Sequence, residues 1–285
     1  MEKTTSGKQI VSPTGKVIRR IFSVILLIYT VITILILFYT VINAFKTKSD
    51  LITNLFGWPK VFTLENFKTI LIEDDFLLYL KNSVILTGVG TFATLAFASM
   101  VAYGIARYTF KGKEILTLFF LVGMMFPIQV SVLPLFVMLR KMQLVNTLLG
   151  MILIYAAGIS LPVYIFQKFF QTIPKSLEES ARLEGASEFI IYLKIMLPLS
   201  KPVLATIGLI TAVGRWNDFY MPMVFLGKKS THTLTLAIYR YLQEFLRNMN
   251  TSFAAVVVTL IPIIILYCVF SKQIVAGLVG GAVKG

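Results

Sequence analysis

Residues 176–198, SLEESARLEGASEFIIYLKIMLP, form a charged interval between two long apolar stretches, and a chain that only crossed a bilayer would have no need of it. Pro174 followed by Ser176, with Glu179 three residues on, has the pattern of a capping box. Glu178 and Glu179 put negative charge at the positive end of the helix they open. The pattern predicts a helix from near Lys175 that stops at Gly185, the residue best suited to the left-handed turn that ends helices. Ser187 is then placed to cap a second helix running toward Pro198. Ser180, Ala181, Gly185 and Ala186 set small side chains among the charges, so another backbone could approach closely. The interval reads as a helix-turn-helix knuckle built for docking.

Outward from the knuckle the chain is a membrane protein. Of 285 residues 57% are hydrophobic and 14% charged, and the mean hydropathy is +0.82, outside the range of soluble domains. About 20 apolar residues are needed to cross some 30 Å of hydrocarbon. Six stretches approach or exceed that length: Ile21–Phe45, Ser83–Ala106, Ile115–Met138, Thr147–Phe166, Val203–Leu226 and Phe253–Phe270. The first is too long for a signal-peptide core and no small-residue cleavage site follows it, so it is expected to remain as a span.

Six spans put both termini on one side, and the positive-inside rule chooses which. Lys3, Lys8, Lys16, Arg19 and Arg20 in the N-terminal tail, Arg107, Lys111 and Lys113 in the second-to-third loop, the knuckle and the C-terminal end carry more basic residues than the opposite loops. Arg140 and Lys141 go against this trend. Both termini and the knuckle are expected in the cytoplasm. The chain then divides into a cytoplasmic tail over 1–20, a first span over 21–45, an extracytoplasmic loop over 46–78, a permease core over 79–271 that includes the loop 172–198, and a cytoplasmic tail over 272–285.

Several function classes are excluded. The net charge of +14 is scattered over loops and tails and not gathered on one face, which suits anionic lipid and not nucleic acid. With one histidine, His232, no multi-histidine metal site or His-rich acid-base network can form. The single cysteine, Cys268, permits no internal disulfide and reads as an apolar filler. Lys8, Lys16, Lys113 and Lys228 each follow glycine, but Ser or Thr never follows the lysine, so the phosphate-cradling sequence of a nucleotide site is absent. No cofactor is expected, and if transport is powered the motor must be another chain.

Glu179-Ser180-Ala181, then Gly185, then Ile195, Leu197 and Pro198 resemble the EAA-loop pattern of the permease subunits of bacterial ABC importers. Ser180 stands where Ala is common and Glu184 where Asp is common, both changes that keep size class or charge. The resemblance extends over nearly the whole chain from about Asn66. Pro127 with Pro134-Leu135-Phe136, Leu144-Val145-Asn146-Thr147, Trp216-Asn217-Asp218-Phe219 and the closing Gly281-Ala282-Val283-Lys284-Gly285 look like the sugar-transporting, maltose-type branch. It implies an all-α integral membrane protein of six transmembrane helices with a MetI-like importer-permease core and a cytoplasmic coupling helix. Glu178, Glu179, Ser180, Ala181, Glu184, Gly185 and Ala186 would form the coupling surface seated in an ATPase subunit. Gly281, Val283, Lys284 and Gly285 would reach the interface between two such ATPases. A second homologous permease chain and an extracytoplasmic sugar-binding protein complete the expected partners. Glu179 would make a charge contact with the ATPase, and ATP-driven closure would shift the knuckle as a rigid body.

For the translocation path the candidates are Pro127, Pro134, Arg215, Asn217 and Asp218. Each proline removes a backbone donor and bends the third span, and irregular backbone at membrane depth needs protein or a water-filled cavity to cover it. A kinked packing helix is the alternative. Arg215 and Asp218 lie about 20 to 24 Å from Pro202 at about 1.5 Å per residue, three residues apart on one expected helix face. They are expected to pair with each other or with the companion subunit, for transport or for assembly. Tyr155, Tyr164, Trp216 and Tyr220 could stack on sugar rings or serve as packing anchors. The segment from Lys46 to Lys81 balances its charges and reads as a soluble cap. Leu234, Ile238, Leu242, Phe245 and Met249 recur at helical spacing, an amphipathic helix expected at the outer interface, as a membrane anchor or, as the resemblance implies for these outer loops, in contact with the substrate-binding protein. Rival readings are an importer of a peptide, polyamine or phosphate, an ATP-independent carrier, for which no internal repeat is visible, and a membrane enzyme, against which the scarcity of His and Cys weighs.

Overall fold

A computed structural model describes residues 13–282 other than Glu244 and Leu246, and every element in it is a helix. Helix α1 spans Pro13–Ala44, followed by short helices α2 (Lys48–Thr53) and α3 (Glu65–Lys68) and a π turn at Thr69–Glu73. Helix α4 runs from Phe76 to Arg107, seven residues earlier at its start than the apolar stretch suggested. Then come α5 (Lys113–Met125), α6 (Val132–Lys141), α7 (Leu148–Ala157) and α8 (Ser160–Thr172). The knuckle holds α9 (Ser176–Leu183) and α10 (Glu188–Ile191), and a π turn leads to α11 (Leu197–Leu199). The chain closes with α12 (Lys201–Trp216), α13 (Tyr220–Phe225), α14 (Leu234–Gln243) and α15 (Met249–Ala282).

The core is built around α4. Its buried positions include Thr87, Gly90, Thr91, Thr94, Ala98, Ser99 and Ala102, a stripe of small side chains recurring every three or four residues. Apolar surface has no water to escape inside a bilayer, so helices associate there by close van der Waals packing, and small residues permit it. Helices α7, α8 and α12 all lie against α4. Phe166 and Phe170 of α8 fill the space opposite Ala98, Ala102 and Tyr103.

Only α1 and α4 are long and apolar enough to cross a membrane unbroken among the described residues; three further apolar helix pairs are bent by more than 40°, each a broken span or a re-entrant loop. The third apolar stretch, expected as one kinked span, is two helices meeting at 100°. Pro127 lacks the amide a continuing helix would use, and it forces Phe126 before it into an extended conformation (φ −76°, ψ 123°). The fourth stretch bends by 45° at Gly158. The fifth is interrupted too, since α12 stops at Trp216 and α13 starts only at Tyr220. Helix α15 runs on through the region assigned to a separate tail, to Ala282.

The end of the bundle opposite the knuckle is tightly tied. Asn82 donates to the carbonyls of Ser230 and His232, both at 3.0 Å, and the Ser83 hydroxyl accepts the Leu234 amide at 2.8 Å. Helix α14 therefore buries Leu234 and Ala237 against Phe76, Tyr79 and Ala254, while Tyr239 and Leu242 on its other face stay exposed. His232 is buried with its ring 6.0 Å from that of Tyr79. The charge-balanced segment after α1 differs from the expected soluble cap: Ile52, Phe56, Trp58, Val61, Phe62 and Leu64 all point outward.

Candidate functional site

The knuckle folds as two short helices around Gly185, whose φ of +84° is the left-handed turn its position suggested. Its entry differs from expectation. Lys175 is the N-cap, already helical (φ −64°, ψ −27°), and no side chain caps α9, so the Ser176–Glu179 capping box does not form. Pro174 and Lys175 supply carbonyls that the amides of Leu177, Glu178 and Glu179 take up directly, leaving Ser176 nothing to cap. Ser187 occupies the N-cap of α10 through its backbone alone.

Two faces result from the helical spacing of α9. Glu178 and Ala181 turn inward and are buried, and Ala186 packs partly against the same core of Phe170, Ile191 and Tyr192. Glu179, Ser180, Glu184 and Gly185 turn outward, with Leu183 between them 90% exposed. Of the candidate docking residues, Glu178 and Ala181 have side chains that face their own bundle, Ala181 in the cluster that also holds Ile191 and Tyr192.

Glu178 meets Arg107, the last residue of α4, with Oε1 2.5 Å from Nε and both side chains almost wholly out of solvent. Arg107 also donates through Nη2 to the Ile173 carbonyl at 2.8 Å. Arg182 lies 3.3 Å from the second Glu178 oxygen and places its Nε 2.6 Å from Oε1 of Glu188. Tyr108 donates to Glu188 Oε2 at 2.5 Å. The Arg182 guanidinium, then the Tyr108 hydroxyl, hold the Glu188 carboxyl well below its usual range, at about 2, while Glu188 pushes Arg182 upward. Burial, then the Glu188 carboxylate, raises the Tyr108 phenol. This chain of charges binds the knuckle to the end of α4, and the Tyr192 hydroxyl adds a bond of 2.7 Å to Ser99.

A second polar group sits where the spans break. Helix α7 ends at Ala157, so the Tyr155 carbonyl in its last turn accepts only the long 3.3 Å bond from the Gly158 cap amide within the backbone and has a lone pair to spare. Arg215 takes it up: Nη2 donates to that carbonyl at 2.6 Å and also to the Thr94 hydroxyl, which itself donates to the carbonyl at 2.9 Å. A cation at a helix C-terminus is also favoured by the helix dipole. The guanidinium lies over the Tyr155 ring, 4.9 Å from its centroid. The expected direct pairing of Arg215 with Asp218 is not made, because α12 ends at Trp216 and the two no longer share a helical face. Asp218 accepts instead from the Tyr155 hydroxyl at 2.9 Å and from the Met221 amide at 3.2 Å, opening α13. Tyr155 is the bridge between the two charges. Gly90 makes the arrangement possible, since a Cβ there would come within 3.2 Å of the Tyr155 ring and 3.3 Å of Arg215.

The remaining candidates lie apart from this group. Asn217 is exposed and donates back to the Val213 carbonyl at 3.0 Å. Pro127 and Pro134 are exposed on the bent α5–α6 limb, away from Arg215, and every residue from 121 to 130 is exposed. Asn146 serves structure: in a left-handed conformation (φ 63°) it receives the Gly227 amide at 2.5 Å and donates its own to the Phe225 carbonyl at 2.9 Å. Gly281 falls in the last turn of α15, and Val283, Lys284 and Gly285 lie outside the described residues.

The knuckle is fastened by buried charge to the central helix α4, and the helical arrangement is that of an ABC importer permease. The chain belongs to the family of binding-protein-dependent transport system inner membrane components, whose model matches residues 94–278. It is 35% identical over 246 residues to the arabinooligosaccharides transport system permease protein AraQ of Halalkalibacterium halodurans, covering 85% of this chain and 88% of that one. It is 34% identical over 247 residues to the multiple sugar-binding transport system permease protein MsmG of Streptococcus mutans, with 85% and 88% covered. A crystal structure of a bacterial ABC transporter involved in the import of the polysaccharide alginate contains a chain of like fold, with a TM-score of 0.80 at 24% identity over 92% of this chain and 98% of that one. As a permease subunit the chain is not itself an enzyme, and ATP hydrolysis belongs to a separate partner.

Proposed function

We propose that this chain moves a sugar or oligosaccharide across the bacterial cytoplasmic membrane by alternating access. It works as one of two homologous permease subunits on a pair of cytoplasmic ATPases, with solute delivered by an extracytoplasmic sugar-binding protein. Both termini and the knuckle lie in the cytoplasm, and the chain crosses the membrane six times. The observation that carries the reading is the division of the knuckle into two faces: Glu178 locked to Arg107 within, and Glu179, Leu183 and Glu184 presented without. The outer face seats in the ATPase, and the inner face passes its displacement to α4 and α8 as a rigid body. Sugar as cargo is supported by what the relatives are named for, arabinooligosaccharides and multiple sugars.

The bent α5–α6 limb is the surface for the second permease. Its backbone breaks at Pro127 with no cover from this chain, and such backbone is stable at membrane depth only under protein or beside a water-filled cavity. Pro127, Pro134 and the outward-facing Asn217 border that junction, and Arg215 and Asp218, joined through Tyr155, stabilise the break in the path wall. Residues 281–285 reach the ATPase pair.

Co-expression with the companion subunits, reconstitution into vesicles, and measurement of binding-protein-dependent ATP hydrolysis and uptake over a panel of oligosaccharides tests the proposal. Stimulation by at least one saccharide is expected. Accumulation of solute by this chain alone, without any ATPase, refutes it, and stimulation only by peptides, polyamines or phosphate refutes the sugar assignment.

A further inference from the structure

Between α1 and α3 the chain folds back along the helix it has just left. Trp58 sets its ring 5.9 Å from that of Phe38 in an edge-on contact, and Phe56 sets its ring 5.9 Å from that of Tyr39. Phe38 and Tyr39 lie six and five residues before Ala44, the end of α1, so they sit about 9 and 8 Å down its axis at about 1.5 Å per residue. Rings packed sideways on those two positions lie beside the last turns of an apolar helix long enough to cross a bilayer. The turn then climbs back, and the Thr63 amide meets the Phe45 carbonyl at 2.9 Å.

The flap is pinned. Lys46, wholly buried, donates through Nζ to the carbonyls of Asn54 and Leu55 at 2.8 and 3.2 Å. Asp50 accepts the Lys60 amide at 2.9 Å, and Asn54 donates to the Trp58 carbonyl at 2.8 Å. With its polar groups spent inward, the flap turns its apolar side chains out: Ile52, Phe56, Trp58, Val61, Phe62 and Leu64 are each 63% to 87% exposed. A notch of about 320 Å³ opens between it and α1, lined by Leu35, Phe38, Ile42, Phe56 and Trp58 among others. Because Lys46 and Asp50 are both buried, the charges that this segment turns outward over 46–64 are Lys48 and Lys60.

We propose that residues 52–64 form an interfacial anchor that binds outer-edge phospholipid in the leaflet opposite the knuckle, an acyl chain lying in the notch beside α1 and an anionic headgroup facing Lys48 and Lys60. The chemistry is that of an aromatic belt: amphipathic rings at headgroup depth, apolar side chains below, and cations able to meet phosphate. Continuity with α1, a helix of bilayer length whose outer surface is bare, favours lipid over a soluble protein partner. The anchor fixes the depth of the first span and with it the height of the adjoining core, which α1 meets through α15. The proposal rests on the membrane placement of α1 and is independent of the cargo.

The chain has two tryptophans, Trp58 and Trp216, so Trp58 can be observed by difference. The assembled transporter, wild type and Trp58→Phe, is reconstituted into vesicles carrying nitroxide-labelled phosphatidylcholine or phosphatidylglycerol, and its fluorescence is titrated with iodide in the water phase. The Trp58 component is expected to be blue-shifted, quenched several-fold more by a label near the top of the acyl chain than by iodide, and quenched more by the anionic lipid. Lys48→Gln with Lys60→Gln removes the preference for the anionic lipid and keeps the depth. A red-shifted component quenched by iodide and not by lipid overturns the proposal, and so does a component shielded from both quenchers, which would place another protein chain on the flap.

Discussion

Arg107 and Glu178 lie 71 positions apart in the chain and touch at 2.5 Å, the one closing α4 and the other opening the inner face of the knuckle, with 4% and 3% of their side chains exposed. A pair so deeply buried is costly to desolvate, and its loss on one side leaves a bare charge in the core.

Glu178→Gln is therefore expected to lower stability by about 3–5 kcal/mol, read as a fall in the thermal unfolding midpoint in detergent. Glu179→Gln, on the exposed face, should stay within about 0.5 kcal/mol of wild type and yet reduce ATPase stimulation by the binding protein. Equal loss of stability in both variants would contradict the two-faced knuckle.

Gly185→Val meets no neighbouring atom, for nothing lies within 4 Å of its added Cβ, so its cost is conformational. A φ of +84° should impose roughly 1–2 kcal/mol on any residue with a Cβ. Membrane insertion is expected to persist while co-purification of the ATPase drops, and Asn at this position should recover part of it. Wild-type amounts of active ATPase carried by the Val variant would count against the coupling role.

Gly150 tells the opposite story. A Cβ at this position would stand 2.3 Å from the Leu144 carbonyl oxygen, a backbone atom that cannot swing aside. Gly150→Ala should destabilise strongly, whereas Gly88→Ala, with open space around it in the interior of α4, should be neutral or stabilising by about 0.5–1 kcal/mol. Paired melting curves of the two variants decide the matter.

The acid limb of stability should report on Glu188. Its carboxyl is held at about 2 by Arg182 and then Tyr108, against an ordinary value of 4.5, so the folded state favours the charged form. The contribution is complete above about 4.5 and disappears as pH falls from about 4.5 toward about 2, with no change around neutrality. Because Glu188 is 46% exposed, salt should weaken the effect. Glu188→Gln should flatten this limb of a stability-against-pH curve, and an unchanged limb would exclude the assignment.

Tyr155→Phe removes the hydroxyl that Asp218 accepts while keeping the ring under Arg215. Loss of a hydrogen bond to a carboxylate should cost about 1.5–3 kcal/mol, with a comparable loss of transport. Full transport with a lowered midpoint would assign the group to assembly alone.

How far the sequence disclosed these features follows from the range of the interactions. Gly185 was legible because a helix stop depends on its own residue and its immediate neighbours. The membrane character was legible from sustained apolar runs. Pro127 announced an interruption, but a 100° corner depends on what α5 and α6 pack against, and periodicity holds no record of that. The inward turn of Glu178 depends on Arg107, and the separation of Arg215 from Asp218 depends on the Tyr155 carbonyl in the last turn of α7, 60 positions away. Asn146 looked like a marker of cargo and is a clasp between two loops. Trp58 and Phe56 stood in a segment whose balanced charges suggested water; the burial of Lys46 and Asp50 reversed the character of its surface.

Helix α5 buries none of its residues within this chain, and the corner beyond it is just as bare. A newly made copy that fails to meet its counterpart carries an unclothed limb into lipid, where misassembly and proteolysis find it first. Cells should then hold the two membrane chains in matched numbers, with the scarcer one setting how many transporters survive.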